Sequence, residues 1–251
     1  MLSYLDESYG DNNLIIGCLF IPTRSERKYI HQGLKKIKLD FGYLSKDGSL
    51  KEIKYSKLEN PNKLQIAKEA INLFKSTYDS FFRAAVVSYS KSDLNKMFRQ
   101  SKKSVPDKIK RAVIYTKSVE YLIKQNYSKR GITKGILLMD NITRCDGDEF
   151  NKLIDCKLVK STPPLIKHFS YVNSSRESNH TIQICDLLTG AIRNSISMPI
   201  KNTYKNQFTK YVKDSLAIPT YDISFWTSLK QGEAESKFPK FTIRKFGLPF
   251  S

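Results

Sequence analysis

The chain has 251 residues, 40% of them hydrophobic, which is enough for one large domain or two small ones with a sizeable core. Lysine and arginine number 43 against 24 aspartates and glutamates, and the net charge of +19 favours a polyanionic partner such as DNA, RNA or a membrane surface. The longest apolar run, residues 14–21, is far too short to span a bilayer, and the N-terminus lacks the basic region and apolar core of a signal peptide. We therefore expect no membrane insertion.

The cysteines and glycines exclude further classes. No CxxC pair occurs among the four cysteines, which are Cys18, Cys145, Cys156 and Cys185. This argues against a zinc site or a disulfide scaffold and favours reduced thiols in a cytoplasmic protein. The glycines fit neither the dinucleotide-binding pattern nor the P-loop pattern, which disfavours nucleotide-cofactor chemistry.

The first half of the chain predicts three strands and two helices. In chain order these are a strand ending near Asp6, a polar turn at residues 9–12, a strand at 14–21, a basic helix at 25–39, a helix opened by Asn60-Pro61 and a strand at 80–89. Period-2 alternation in the first strand puts Leu2, Tyr4 and Asp6 on one face, with Leu5 and Glu7 on the other. The helix after Pro61 has one apolar face, formed by Ala67, Ala70, Ile71, Phe74 and Tyr78.

The second half predicts helices around a central buried strand. The elements are a short helix and loop at residues 90–103, a long helix from Pro106 to about Asn126, a strand at 135–140, a short helix capped by Asp148, a strand at 165–172, a polar loop at 174–180 and a helix at 181–192. Continuous hydrophobicity at 135–140 predicts burial on both faces. The tail from Ile218 shows little periodicity. We expect one α/β domain over residues 1–251, with helical additions and a basic aromatic extension from about residue 200.

Four acids occupy contexts that suit a site. Asp6 and Asp140 end apolar strands, Glu52 lies in a short segment after a turn, and Asp186 sits in a helix after a serine-rich loop. Sites in open α/β sheets gather at the carboxyl ends of strands. Carboxylates held close together raise each other's pKa unless a cation compensates, and Mg²⁺ or Mn²⁺ suits oxygen ligands shared with substrate phosphates. Two such ions can activate water and stabilise the leaving oxygen of a phosphodiester.

Ordinary structural roles remain open for the same acids. An aspartate that follows a strand is common as a helix cap or a turn residue. On a helical wheel Asp186 lies opposite the apolar face of its helix, as a solvated surface acid would.

Four segments together resemble a known family. They are YLDES at residues 4–8, EIK at 52–54, the strand ending in Asp140 and IQICDLLTG at 182–190, spread over residues 4 to 190. This combination resembles the DUF3800 family, a bacterial and phage family of uncharacterised domains assigned to the ribonuclease H-like superfamily. The chain departs from the family pattern at Tyr9, where glycine is common, and at Cys185, where alanine is common. Neither departure changes a carboxylate.

The resemblance implies an α/β fold of ribonuclease H-like type, with a mixed five-stranded sheet and helices on both faces. It implies that Asp6 bridges two divalent ions, Mg²⁺ or Mn²⁺, and that Glu52, Asp140 and Asp186 complete the ligand set. Glu7 and Ser8 would support the first strand, Ser8 also lying near the substrate. Gln183 would contact substrate or orient Asp186, and Lys54 would meet a phosphate unless it is an ordinary exposed lysine.

Other polar residues have weaker cases. His180 precedes the Asp186 helix and suits a general acid or base near the metals, or simply a residue at a helix entry. Glu177 in the same loop is a candidate replacement for a weak ligand. Two basic stretches suit nucleic-acid backbone or base contacts, or else form a solvated surface whose aromatics pack inward: Lys102 to Arg111, and Lys201 to Lys213 with its interleaved tyrosines and phenylalanine.

These observations favour a divalent-metal-dependent nuclease of ribonuclease H-like type that hydrolyses phosphodiester bonds in RNA or DNA. One alternative is a nucleic-acid-binding module that keeps the fold and the charge without turnover. Another is an interaction protein of a defence or mobile-element system, whose target is a protein. Four acids argue against simple binding, because carboxylates repel phosphate unless metals sit between them.

Overall fold

A six-stranded mixed sheet organises the chain. The computed structural model describes residues 1–9, 13–90, 92, 93, 96, 105–128, 130–132, 135–140, 150–161, 164–196 and 201–247. Its strands are β1 (Leu2–Tyr9), β2 (Asn13–Ile21), β3 (Phe81–Ser88), β4 (Gly135–Asp140), β5 (Ile166–Val172) and β6 (Phe241–Lys245). They lie in the order β5-β4-β1-β2-β3-β6. β2 is antiparallel to β1 and β3, whereas the pairs β1–β4, β4–β5 and β3–β6 are parallel.

The described residues also form eight α-helices. They are α1 (Arg24–Asp40), α2 (Pro61–Lys75), α3 (Asp107–Ser128), α4 (Phe150–Ile154), α5 (Ile182–Ile196), α6 (Thr203–Ser215), α7 (Ile223–Ser228) and α8 (Gln231–Lys237). Local chemistry fixes their starts: Thr23 accepts the Glu26 amide at α1, and Asn60 accepts the Lys63 amide at α2. None of the helices in the described part of the chain is both long enough and apolar enough to cross a membrane.

The sheet separates two hydrophobic clusters. Tyr4 and Leu19 face a cluster built with α1, α2, α5 and α6, whereas Leu5 and Ile16 face a second cluster built with α3 and α4. The alternation predicted for β1 is therefore confirmed, and helices cover both faces. Asp6 shares its face with Tyr4, so the acid points to the side on which α5 packs across β1 and β2.

Three predictions about the fold are wrong. The sheet has six strands, not five, because β6 pairs with β3 after a tail that has little periodicity but carries the fully buried Trp226. Tyr78 is 92% exposed and leaves the apolar face, since α2 ends at Lys75. β4 is not covered on both faces, because the side chain of Ile136 remains 39% exposed. The predicted cap Asp148 and most of the segment 90–103 lie outside the described residues.

Candidate active site

Asp6 lies inside β1, beside the end of β4, so the prediction that it ends the first strand is wrong: pairing with β2 carries β1 on to Tyr9. The parallel register aligns Leu5 with Met139, so the next residues in the two strands, Asp6 and Asp140, are neighbours. Asp6 is only 6% exposed. Burial raises the pKa of the Asp6 carboxyl well above its usual range, and the negative charges of Asp186, Glu7 and Asp140 raise it further. Asp6 and Asp140 therefore lie together, although only Asp140 ends its strand.

Glu52 joins Asp140 through a serine and a lysine. The Ser174 hydroxyl contacts a Glu52 carboxylate oxygen and lies 3.2 Å from Asp140 Oδ2. The Lys54 ammonium lies 3.2 Å from Glu52 Oε1 and 3.6 Å from Asp140 Oδ2. Burial alone would lower the pKa of Lys54, but the Glu52 and Asp140 carboxylates outweigh it, and the pKa is raised. Lys54 is therefore a charged partner of the acids, not an isolated surface lysine.

Asp186 reaches the same place from α5. Its Oδ2 accepts the backbone N–H of Tyr55 at 2.6 Å, which ties α5 to the segment that carries Glu52 and Lys54. Burial raises the pKa of Asp186 to about 6, the Tyr55 N–H and Lys54 act to lower it, and Asp140 and Glu52 act to raise it. Asp186 is thus a partly buried member of the acidic cluster (Asp6, Glu52, Asp140 and Asp186), not the solvated surface acid that its helical wheel allows.

Gln183 holds the surroundings of the acidic cluster in register. Its Oε1 accepts from Lys38 Nζ at 2.7 Å and from the Ile53 N–H at 3.1 Å, and its Nε2 donates to the Ser174 carbonyl at 2.6 Å. These bonds position the neighbours of Glu52 and the serine between the acids. Gln183 is 1% exposed, so its amide serves positioning and has no open surface for substrate.

His180 is buried beside Lys38 and not beside the acids. The Lys38 ammonium lies 3.2 Å from His180 Nδ1, and His180 is 1% exposed. Burial lowers the pKa of His180 to about 4, with the charge of Lys38 adding to the effect. A neutral, enclosed imidazole does not suit a general acid or base, so the helix-entry reading of His180 fits the structure better.

The remaining predicted residues fall around β1 and its neighbouring loop. Ser8 lies two residues beyond Asp6 on the same face, partly exposed and opposite Ile15. Glu7, on the other face, accepts the Tyr115 hydroxyl at 2.8 Å, which fits a supporting role. Glu177 is an exposed residue that pairs with Lys35 at 2.7 Å, so its contact is with α1.

The aromatic residues between Lys201 and Lys213 pack inward. Phe208 on α6 is fully buried, and Tyr204 and Tyr211 pack against the same hydrophobic cluster. Phe208 therefore follows the inward alternative and is not available to stack on bases, whereas Tyr204 and Tyr211 remain partly exposed. Lys102 and Lys103 of the other basic stretch lie outside the described residues.

A cavity of about 520 Å³ opens beside Glu52. Its lining includes Lys51, Lys57 and Lys63 together with Glu52 and Ser175. The lysines give the opening an attraction for phosphate, and the Glu52 carboxylate places one oxygen ligand for a cation at its wall. A polyanion that entered here would meet the acidic cluster from its Glu52 side.

The chemistry of the acidic cluster suits a hard divalent cation. Among the described residues, no three His, Cys, Asp or Glu side chains lie as they stand in a group that could hold a metal ion. Ser174 and Lys54 instead hold oxygens of Glu52 and Asp140. The donors are nevertheless all carboxylates, which Mg²⁺ and Mn²⁺ prefer, and burial of Asp6 among other acids calls for positive charge.

Two contributors to the site were not predicted. Ser174 was assigned only to a polar loop, and nothing in its local pattern marks it as a bridge between acids. Lys38 carried a usable signal, because it follows Ile30 and Leu34 at four-residue spacing and so falls on the buried stripe of α1.

Two comparisons with known proteins found no similar protein. No protein-family model matches the chain, and a search of curated proteins finds no match either. The resemblance to the DUF3800 family therefore stays a prediction, and the argument for function rests on the geometry of the acidic cluster.

Proposed function

We propose that the chain is a divalent-metal-dependent nuclease of ribonuclease H-like type, acting on phosphodiester bonds of RNA or DNA. The observation that carries the proposal is the convergence of Asp6, Glu52, Asp140 and Asp186 from four separate segments. A buried group of like charges is costly, and a structure that retains one needs a compensating role for it. The mixed sheet, the acid on its first strand and the helices on both faces support the ribonuclease H-like assignment.

Each part of the site has a role in this proposal. The four carboxylates would hold Mg²⁺ or Mn²⁺, which when bound supplies water activation and stabilises charge on the leaving oxygen. Lys54 would turn its ammonium to a substrate phosphate, and the lysine-lined cavity beside Glu52 would receive the neighbouring backbone. Gln183 would keep the Glu52 segment and Ser174 in position.

The first test is metal binding and cleavage in Asp6→Asn. We expect calorimetry to show micromolar Mn²⁺ binding to the wild type that disappears in Asp6→Asn, because the amide lacks the charge of the most enclosed ligand. Cleavage of a panel of single-stranded and duplex RNA and DNA should fall by at least about 100-fold, since even outer partners of metal ligands typically cost 10- to 100-fold.

The matched control is Asp214→Asn, which neutralises an exposed acid in the last turn of α6. It should leave Mn²⁺ binding and cleavage unchanged. Salt-sensitive nucleic-acid binding by the wild type without any metal uptake, even with nucleic acid bound, would reject the nuclease in favour of the non-catalytic binding module. Negligible affinity for nucleic acid at low salt would favour the protein-partner alternative.

A further inference from the structure

A second basic cavity lies on α1 and shares no lining residue with the opening beside Glu52. It has a volume of about 350 Å³ and is lined by Arg24, Arg27, Lys28, His31, Ser178 and Thr181. The four residues from α1 have spacings of three and four, so they share one face of the helix. The cavity therefore presents three fixed positive charges and two hydroxyls, and its lining contains no carboxylate.

Its cations are available to a ligand. Arg24 and Lys28 are exposed, and no ion pair in the described part of the chain engages either of them. The nearby acids of α1 and of the adjoining loop, Glu26 and Glu177, bind groups outside the cavity lining. Glu26 accepts from the Asp79 amide and the Ser80 hydroxyl, and Glu177 pairs with Lys35. The positive charge of the cavity is thus not neutralised by these acids.

One buried tyrosine connects this cavity to β1. The Tyr4 side chain lies near Thr181 and Arg27 of the cavity lining: burial raises the pKa of Tyr4, and both neighbours act to lower it. Tyr4 and Asp6 are on the same face of β1, and two residues of strand span only about 7 Å. Tyr4, beside the cavity, and Asp6, in the acidic cluster, are thus neighbours on one face of the first strand.

The loop between β5 and α5 touches both places. Ser174 contacts Glu52 and Asp140, whereas Ser178 and Thr181 line the basic cavity. The four Cα-to-Cα steps from Ser174 to Ser178 span at most about 14 Å. At about 3.4 Å of rise per nucleotide in a duplex strand, that distance corresponds to no more than about four nucleotides.

We infer that this cavity is a binding site for a backbone phosphate of nucleic acid, a few nucleotides from the phosphodiester at the acidic cluster. Guanidinium, ammonium and hydroxyl donors that converge without a carboxylate recognise phosphate and carry no base specificity. The inference rests on the proposed function for its second contact point, the acidic cluster. The phosphate site would fix the register of the bound nucleic-acid strand, because one phosphate is held by α1 while another is presented to the carboxylates.

The test compares the salt dependence of binding in Arg24→Gln/Lys28→Gln with the wild type. Fluorescence anisotropy in EDTA would use whichever short labelled RNA or DNA, single-stranded or duplex, binds the wild type most tightly. Each lost phosphate contact removes about 0.7 to 0.9 from the slope of log affinity against log salt, so the double variant should lose about 1.4 to 1.8. Both side chains are exposed, and thermal melting should confirm that the variant folds.

The charge-matched control is Lys36→Gln/Lys75→Gln, which removes two exposed lysines from α1 and α2 outside the cavity. An unchanged slope in this control, with the loss confined to the cavity variant, supports the inference. Equal losses in both variants overturn it, as does a wild type that binds no oligonucleotide. A third outcome also overturns the inference: millimolar inorganic phosphate stabilises the wild type but not the cavity variant, while the salt slope of oligonucleotide binding is the same in both. The cavity would then be a site for small phosphates.

Failure of the nuclease proposal gives a different pattern. A cavity-dependent slope in a wild type that shows no metal-dependent cleavage would reject the nuclease and retain the phosphate site. If cleavage depends on Asp6 but the salt slope does not depend on Arg24 and Lys28, the nuclease is retained and the phosphate site is rejected.

Discussion

Lys38 is the residue whose environment differs most from what its type suggests. Its side chain is fully buried between His180 and Gln183. Burial lowers the pKa of Lys38 from 10.5 to about 7, and the charges of Glu52 and Glu177 recover only part of that loss. A lysine in this state is retained for its hydrogen bond to Gln183, which in turn holds the segment beside Glu52.

Because of Lys38, the free energy of unfolding should increase as the pH rises from about 7 to 10.5. The folded pKa of Lys38 is depressed, so its contribution is present above the unfolded pKa of 10.5 and is lost as pH falls through about 7. Between pH 9 and pH 7 the loss is about 2 kcal/mol if unfolded Lys38 has its ordinary pKa. We expect Lys38→Met to remove this part of the pH dependence, measured as the free energy of urea unfolding at each pH.

The control for that experiment is Lys36→Met on the exposed side of the same helix. It should keep the wild-type pH dependence. An identical pH profile in Lys38→Met and in the wild type would contradict the buried, depressed lysine.

At the residue scale the sequence indicated the acids better than their partners. Asp140 was predictable as an acid at a strand end, whereas Asp6 lies inside β1 and meets Asp140 through the parallel register of the two strands. Lys54 was predicted to meet a phosphate, but its pairing with Asp140 depends on tertiary contacts that no local spacing encodes. His180 illustrates the limit, because only burial distinguishes an enclosed histidine from a catalytic one.

At the scale of the elements, α5 packs tightly against its neighbours, and glycines permit the approach. A Cβ on Gly190 would lie 2.2 Å from Tyr55 Cγ, and one on Gly17 of β2 would lie 2.0 Å from Thr189 Oγ1. These contacts bring Asp186 of α5 to the Tyr55 N–H and so into the acidic cluster. Asp186 depends on this packing, which explains why the helical wheel alone misjudged it.

Gly190→Ala should displace Tyr55 and disturb the site. Overpacking of this kind typically costs about 1–3 kcal/mol, so we expect a lower free energy of unfolding in denaturant titrations. Cleavage should fall as well, because the Tyr55 N–H that binds Asp186 moves with the ring.

Gly232→Ala in α8 is the matched control, since nothing lies within 4 Å of the added Cβ. Alanine in an open helical position should stabilise the protein by about 0.5–1 kcal/mol. If the two variants had equal stability, the close contact between α5 and Tyr55 would not be present in solution.

The predictions failed at the end of one helix and at one strand whose identity depends on pairing with a distant strand. The apolar period of α2 extends formally to Tyr78, but the helix ends at Lys75 and leaves the tyrosine in solvent. β6 has the alternation Phe241, Thr242, Ile243, yet five residues among prolines and lysines are a weak signal without a partner strand. Pairing with β3 supplies what the local sequence lacks.

On the scale of the whole molecule, the C-terminal region completes the core. Trp226 of α7 and Phe241 of β6 belong to the same hydrophobic cluster as Tyr4 and Leu19. The described part of the predicted basic aromatic extension is therefore tied to the sheet through β6 and its buried aromatics. Strand order of this kind, with β6 beside β3, lies beyond single-sequence patterns because it is set by long-range pairing.

A chain that ends at Ser215 should fail to fold. Truncation of a buried Trp or Phe typically costs about 3–5 kcal/mol each, and domains typically have only about 5–15 kcal/mol in total. The shortened chain also exposes the edge of β3 that pairs with β6. We expect aggregation and no cooperative thermal transition in circular dichroism. A cooperative transition of the shortened chain at the melting temperature of the full chain would contradict this prediction.

The Lys54 ammonium also affects how tightly an external ion binds to the acidic cluster. Lys54 is only two residues from Glu52 and lies within 3.6 Å of two carboxylates, so dilution cannot remove it. A tethered group acts at a millimolar or higher effective concentration, and added salt screens poorly at distances well below a Debye length of about 8 Å. An incoming divalent cation must therefore compete with the Lys54 ammonium for the same carboxylates. A ligand that draws Lys54 away strengthens the binding of the cation, and the cation strengthens the binding of that ligand by the same factor.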